Sequence, residues 1–329
     1  MAHAISIRKN GFAEMAYVGE TPWHGLGQRV EEGADIDTWV KAAGMDWKLA
    51  RSRVRFGEGP NQQVFEDRHV IFRSDTKAPL SVVSADYKIV QPRQVIEFFA
   101  DLVGDNGFVL DTAGVLFDGR KLWAQAKIGA SAMIVGEDEV VGRLLLATSC
   151  DGSMATSARF VTERVVCANT LGMAMSENAK RVVSIRHSGK FVPGQFKDRL
   201  GIARQEFGVF VDAARALAKV RVDNRAAQKF VGELLVNQGV VTAKDERDLA
   251  ANVRDSAAYR KILSLFQGSA MGGTLVSAEG TAWGVVNAVT EYVDHHAKAA
   301  SASLRMDKAW FGAGDQLKTA AFSKALALV

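Results

Sequence analysis

The chain has 329 residues, enough to bury a core of substantial size as one large domain or two smaller ones. Its 48% hydrophobic and 24% charged residues are typical of a globular protein, and its net charge of +4 permits a polyanionic partner without requiring one. It contains no apolar run of about 18 residues and only two cysteines, which argues against a membrane helix or a disulfide framework and predicts a cytoplasmic protein.

The first third of the chain alternates irregular and regular segments. Residues 1–34 have no periodic pattern, and a short helix is predicted over 37–43. Basic and apolar side chains then alternate through 47–56, which indicates a strand, and a hairpin follows over 69–74 and 80–85. Pro92 near the start and Gly104 after the end delimit a predicted helix.

Two Asp-Gly pairs mark the central sheet, because Asp-Gly between apolar runs is a strong signal of a tight hairpin. Asp118-Gly119 and Asp151-Gly152 predict that the flanking segments pair as antiparallel strands. A long amphipathic helix follows, and its apolar stripe is expected to pack across the sheet, with a coiled-coil partner as the alternative. The predicted elements are strands at 108–117, 120–128, 143–150, 153–166 and 181–187, and helices at 168–179 and 195–220.

The last third of the chain has a helical composition. Helices are predicted over 225–237, 243–255, 259–265, 280–300 and 316–328, with a glycine-rich break at 267–280 that we expect to be a mobile loop. The pattern predicts an α+β protein with a central antiparallel sheet of hairpins and a long helix packed across it. We place the α+β core and its irregular N-terminal segment at 1–224 and a helical C-terminal region at 225–329.

The strand at 120–128 carries the first candidate site. With a period of two, Lys121, Trp123 and Lys127 share one face, opposite an apolar one. An aromatic ring between two lysines on an open face is typical of proteins that stack bases and neutralise phosphates. The alternative is a solvated face on which a helix covers Trp123.

A basic stretch extends this candidate surface. Between residues 159 and 204 the chain has nine lysines and arginines against three acidic residues. Arg159, Arg181, Arg186 and Lys190 are the candidate phosphate contacts, whereas Arg164 is more typical of a cation that holds a structural carboxylate or carbonyl. The alternative for the whole stretch is a set of charges that simply face solvent.

A row of polar residues near the C-terminus is the candidate for metal chemistry. Asn287, Glu291, Asp294 and His295 fall on or near one helical face, and such a row could bind a divalent cation. It contains only two carboxylates, and a capped, solvated helix is the alternative explanation. We therefore predict no metal, no cofactor and no catalytic residue.

Several separate motifs stand out along the chain, in the segments 19–27, 43–47, 151–153, 164–171, 186–187 and 287–295. Together they resemble the phage/plasmid-like protein family, which is also described as domain of unknown function 932. The resemblance runs from about residue 10 to the C-terminus, and it implies a gene carried by phages, prophages or plasmids. It assigns no catalytic residue.

The order of strands and helix is also similar to the core of single-strand annealing recombinases. From this similarity and the basic stretch we predict a homo-oligomeric protein that binds single-stranded DNA, promotes annealing in recombination and performs no covalent chemistry. The first alternative is a metal-dependent nuclease or hydrolase that uses Glu291, Asp294 and His295. The second is a protein-binding factor of a mobile element, for instance an antagonist of host defence.

Overall fold

The computed structural model describes residues 5–19, 25–106, 108–167, 169–172, 183–185, 200–242, 246–300 and 302–329. Its strands are β1 (Met15–Tyr17), β2 (Gln28–Arg29), β3 (Leu49–Phe56), β4 (Gln63–Arg73), β5 (Pro79–Ser84), β6 (Val109–Leu116), β7 (Lys121–Met133), β8 (Glu139–Ser149), β9 (Thr156–Arg164), β10 (Asn169–Gly172) and β11 (Val183–Ile185). Its helices are α1 (Ile36–Ala42), α2 (Pro92–Asn106), α3 (Leu200–Lys219), α4 (Asn224–Asn237), α5 (Glu246–Asp255), α6 (Ala257–Ser264), α7 (Ala282–Glu291), α8 (Ala302–Phe311) and α9 (Ala313–Leu326). The predicted α+β class is confirmed.

The described strands form two sheets. The larger sheet has the order β10-β9-β8-β7-β6-β1-β2, with β11 pairing beside β10 along β9, and the smaller sheet has the order β3-β4-β5. In the larger sheet, the β6–β7 hairpin turns at Phe117, Asp118 and Gly119. All three residues have positive φ, as expected of a tight Asp-Gly connection. Only β1 and β2 are parallel among the pairs whose register is known in the described chain.

Three predicted elements need correction. The helix predicted at 168–179 is wrong at 169–172, because this segment pairs antiparallel with β9. Sheet pairing therefore outweighs the local helix propensity there. β4 begins at Gln63 and not at His69, so β3 and β4 form a longer hairpin than the predicted strands at 47–56 and 69–74 imply. Helix α8 was also not predicted.

The chain divides into two compact units. The first comprises the described residues of Met1–Gly129, Arg143–Phe160 and Lys180–Ile202, and the second those of Ala130–Gly142, Val161–Ala179 and Ala203–Val329. The second unit therefore contains most of α3 and two segments of the larger sheet in addition to the C-terminal helices.

In the first unit, helix α1 shows how local sequence fixes an element. Asp35 caps the helix, and its carboxylate accepts a hydrogen bond from the amide of Thr38 at 2.7 Å. The helix ends before Gly44, whose φ is +69° and whose Cα lies against Glu14, so that a Cβ would come within 2.6 Å of the Glu14 side chain. Helix α1 then packs on α2.

The second unit is organised around helix α7, in which every residue from Ala282 to Glu291 is buried. Phe210 on the apolar stripe of α3 stacks on Phe322 of α9, with ring centroids 5.3 Å apart, and meets Trp283 of α7 edge-on. The stripe therefore packs on the C-terminal helices at this point. Arg215 on α3 donates a hydrogen bond to the carbonyl of Met133 at the end of β7.

None of the described helices combines the length and the apolar character that crossing a membrane would require.

Candidate nucleic-acid interface

The three-stranded sheet has one covered face and one open face. On the covered face, the pairing register groups Leu49, Ile71 and Val83, all of which are buried. No residue of the opposite face is buried. We call it the open face, and it consists of Ala50, Ser52, Val54, Phe56, Gln63, Phe65, Val70, Phe72 and Val82.

Large apolar side chains dominate this open face. Phe56 is 52% exposed and Phe65 is 46% exposed, and their rings meet edge-to-face with centroids 6.3 Å apart. An antiparallel sheet that faces water usually carries polar residues on that side. A solvated sheet face with a phenylalanine pair is therefore typical of an interaction surface rather than of a free surface.

Arginines line the edge of the same sheet. Arg51, Arg53 and Arg55 are exposed and alternate with the open-face residues along β3, which pairs only with β4 in the described part of the chain. Arg53 lies 3.8 Å from Glu66, and both side chains are exposed, so this ion pair is weak. The register places these arginines on the side of β3 opposite the phenylalanine pair, and because β3 is an edge strand, their positive charge lies along the edge of the sheet.

A buried ion cluster anchors the covered face of this sheet. Arg73, at the end of β4, donates hydrogen bonds to both carboxylate oxygens of Glu14, at 2.7 and 3.0 Å. Its guanidinium also lies over the ring of Trp47, 4.2 Å from the centroid, and bonds to Asp75. Because these groups hold the covered face, β3 and β4 present the opposite face to solvent.

The predicted site on β7 does not have the expected open face. Trp123 is only 2% exposed, and its indole packs over Gly114, where an added Cβ would come within 3.2 Å of the ring. The prediction that Trp123 stacks on a base from an open face is therefore wrong. Both sides of the central part of β7 are covered, which a period-two pattern by itself cannot show.

The neighbouring cations contact other side chains of the protein. Lys127 lies 3.1 Å from Asp111, which also forms an ion pair with Arg143, and Lys121 lies over the ring of Phe117. Arg159 is buried. The structure does not bring these residues together on a surface, and Arg181, Arg186 and Lys190 lie outside the described residues.

In the second unit, a buried carboxylate joins segments that are distant in sequence. Asp138, which is fully buried, accepts hydrogen bonds from Arg164 at 2.6 Å, Ser277 at 2.5 Å and Trp283 at 3.0 Å. Arg164 thus holds a structural carboxylate, as its sequence context indicated.

The same arginine fastens the glycine-rich loop at 267–280. Arg164 donates to the carbonyls of Met271 and Gly272, and Glu291 accepts a hydrogen bond from the amide of Met271 at 3.0 Å. These bonds tie the segment predicted to be a mobile loop to β9 and α7.

Two motifs that carry the family resemblance contact each other directly. The Cys167 carbonyl lies 3.0 Å from Nε2 of His295, and the Thr170 amide donates to Asp294 at 2.8 Å. Lys318, also buried, donates to the same Asp294 at 2.7 Å. The segments 164–171 and 287–295 therefore form one interlocked structural unit.

This interlocking gives the candidate metal row a structural role. Burial raises the pKa of Glu291 and lowers the pKa of His295, and both side chains contact backbone groups. Asp294 is held by Lys318 and Thr170. Among the described residues, no group of three or more histidine, cysteine, aspartate or glutamate side chains has the arrangement of a metal site. The nuclease alternative therefore has no geometric support in this part of the chain.

Comparison with known proteins places the chain in one family. No curated protein and no solved structure matches it. A family model described as a domain of unknown function (DUF932) matches residues 79–310, so strands β3 and β4 precede the matched stretch. This match covers more than two thirds of the chain, and the protein therefore belongs to the DUF932 family.

Proposed function

We propose that the protein binds single-stranded DNA through the open face of the three-stranded sheet and the arginines of β3. The observation that carries this proposal is the half-exposed Phe56–Phe65 pair on a sheet whose edge strand also carries the exposed Arg51, Arg53 and Arg55. This surface replaces the predicted β7 site, whose tryptophan is buried.

The chemistry of single-strand binding matches this surface. Unpaired bases stack on aromatic side chains, and each such contact contributes about 1–3 kcal/mol without a preference for one base. Arginines along the strand edge neutralise phosphates, so the bound strand can follow β3 with its bases towards the phenylalanines. Binding of this kind is largely independent of sequence and weakens as salt rises.

The biological setting of the proposal comes from the resemblances. The resemblance of the sequence motifs to phage/plasmid-like proteins, and the similarity of the predicted element order to annealing recombinases, motivate a role in the recombination of mobile-element DNA. Annealing needs an extended strand with neutralised phosphates and no covalent step. We include in the proposal that the protein works in the cytoplasm as a homo-oligomer, as such recombinases do.

The test is a fluorescence anisotropy titration with a labelled oligothymidine of about 20 nucleotides, long enough to follow the sheet. The double variant F56A/F65A should bind at least about 10-fold more weakly, because it loses the stacking surface. For the triple variant R51A/R53A/R55A, the slope of log affinity plotted against log salt concentration should be shallower by about 2. Each lost phosphate contact removes about 0.7 from that slope.

A matched control separates local contacts from net charge. The triple variant R225A/R254A/R260A removes three exposed arginines from the helical unit and changes the net charge equally. It should bind as the wild type does. Equal losses in both triple variants would show that only the overall charge matters. If the wild type has no salt-dependent affinity, the open face serves a protein partner instead and the proposal is wrong.

A further inference from the structure

A pocket of about 380 Å³ lies between the end of β5 and the Asp151-Gly152 turn. Its apolar wall is formed by Val82, Val83 and Met154, and Tyr87 and Asp151 supply its polar groups. The volume falls in the range typical of small-molecule sites. Val82 belongs both to this wall and to the open face, so the pocket adjoins that face at β5.

The polar groups of the pocket are held in place. The phenol of Tyr87 donates a hydrogen bond to the carbonyl of Ser149 at 3.0 Å, and the amide of Gly152 bonds to the same side chain. Burial raises the pKa of Tyr87, so the ring stays neutral. Asp151 accepts a hydrogen bond from the amide of Ser153 at 2.9 Å through Oδ1, which fixes the orientation of the carboxylate.

We propose that this pocket receives one guanine base of the bound strand, an inference that rests on the proposed function. A carboxylate repels phosphate, so a nucleotide enters with its base inwards and its backbone outside. Asp151 needs hydrogen-bond donors from that base. Guanine presents its N1–H and its 2-amino group side by side to a carboxylate, a pair of donors that thymine lacks. Val82, Val83 and Met154 then cover the flat ring.

The test compares three oligonucleotides of equal length: oligothymidine, the same strand with one central deoxyguanosine, and the same strand with deoxyinosine at that position. Wild-type protein should bind the guanosine strand at least about 5-fold more tightly than oligothymidine, the lower bound for one good base contact. The inosine strand, which lacks the 2-amino group, should lose most of this preference.

The isosteric variant D151N keeps the turn but replaces one carboxylate oxygen by a hydrogen-bond donor, and it should bind all three strands equally. F56A/F65A should weaken binding of all three strands by the same factor. If the wild type binds the guanosine strand and oligothymidine within about twofold of each other, the pocket does not read guanine, although the DNA-binding proposal still holds. If the wild type binds none of the strands, both proposals fail.

Discussion

Replacing Asp138 by alanine is expected to destabilise the second unit by about 3–5 kcal/mol, the usual effect of removing one partner of a buried ion pair. Asp138 is fully buried and accepts hydrogen bonds from Arg164, Ser277 and Trp283. After its removal, the Arg164 guanidinium keeps the carbonyls of Met271 and Gly272 and a weak contact to Sγ of Cys167, none of which carries a countercharge, and it stays shielded from water. This loss is a large part of the roughly 5–15 kcal/mol that a domain has in total.

The assay is urea unfolding followed by circular dichroism, with the free energy extrapolated to water. The second variant, D138A/R164M, removes both charges and leaves an apolar side chain of similar length. It should be more stable than D138A alone, because no buried charge remains without a counterion. The unpaired guanidinium, rather than lost packing, would then account for the larger effect of the single change.

Two results would refute this reasoning. A loss below about 1 kcal/mol in D138A would mean that water or another group compensates Arg164, since exposed pairs contribute only that much. A double variant as unstable as D138A would mean that the hydrogen bonds to Ser277 and Trp283 matter more than the charge.

Two further predictions concern Glu291 and Gly44. Burial raises the pKa of Glu291, so its contribution to stability is complete below the pKa of the unfolded chain and is lost as the pH rises through the folded value. The isosteric variant E291Q should therefore gain stability relative to the wild type as the pH rises from the unfolded to the folded pKa of Glu291. If the free energies of unfolding of the two proteins differ by the same amount at every pH of a series, this prediction is wrong. G44A should lower the free energy of unfolding by more than about 2 kcal/mol, because it combines left-handed backbone strain with a clash against Glu14. The control G33A has positive φ in open space, so thermal unfolding should show a loss of only about 1 kcal/mol.

Local signals predicted most elements because they act over a few residues. The Asp118-Gly119 turn, the alternation through β3 and the apolar stripe of α3 all lie where the structure has the corresponding element. The β3–β4 hairpin was missed although Gly57, Gly59 and Pro60 form a recognisable turn signal after Phe56. That omission left the phenylalanine pair out of the candidate site.

The sequence by itself determined the α+β class, the turns, and which strands and helices have an apolar face, because these follow from the periodicity of neighbouring side chains. Only the tertiary structure decided that Trp123 is covered on β7 while Phe56 and Phe65 are exposed on β3 and β4. Apolar and polar residues alternate along β7 as they do along β3, and the exposure of each side chain depends on what packs over its face. The tertiary structure likewise brings segment 164–171 against segment 287–295. The two segments are more than a hundred residues apart in sequence, and no local pattern contains this contact.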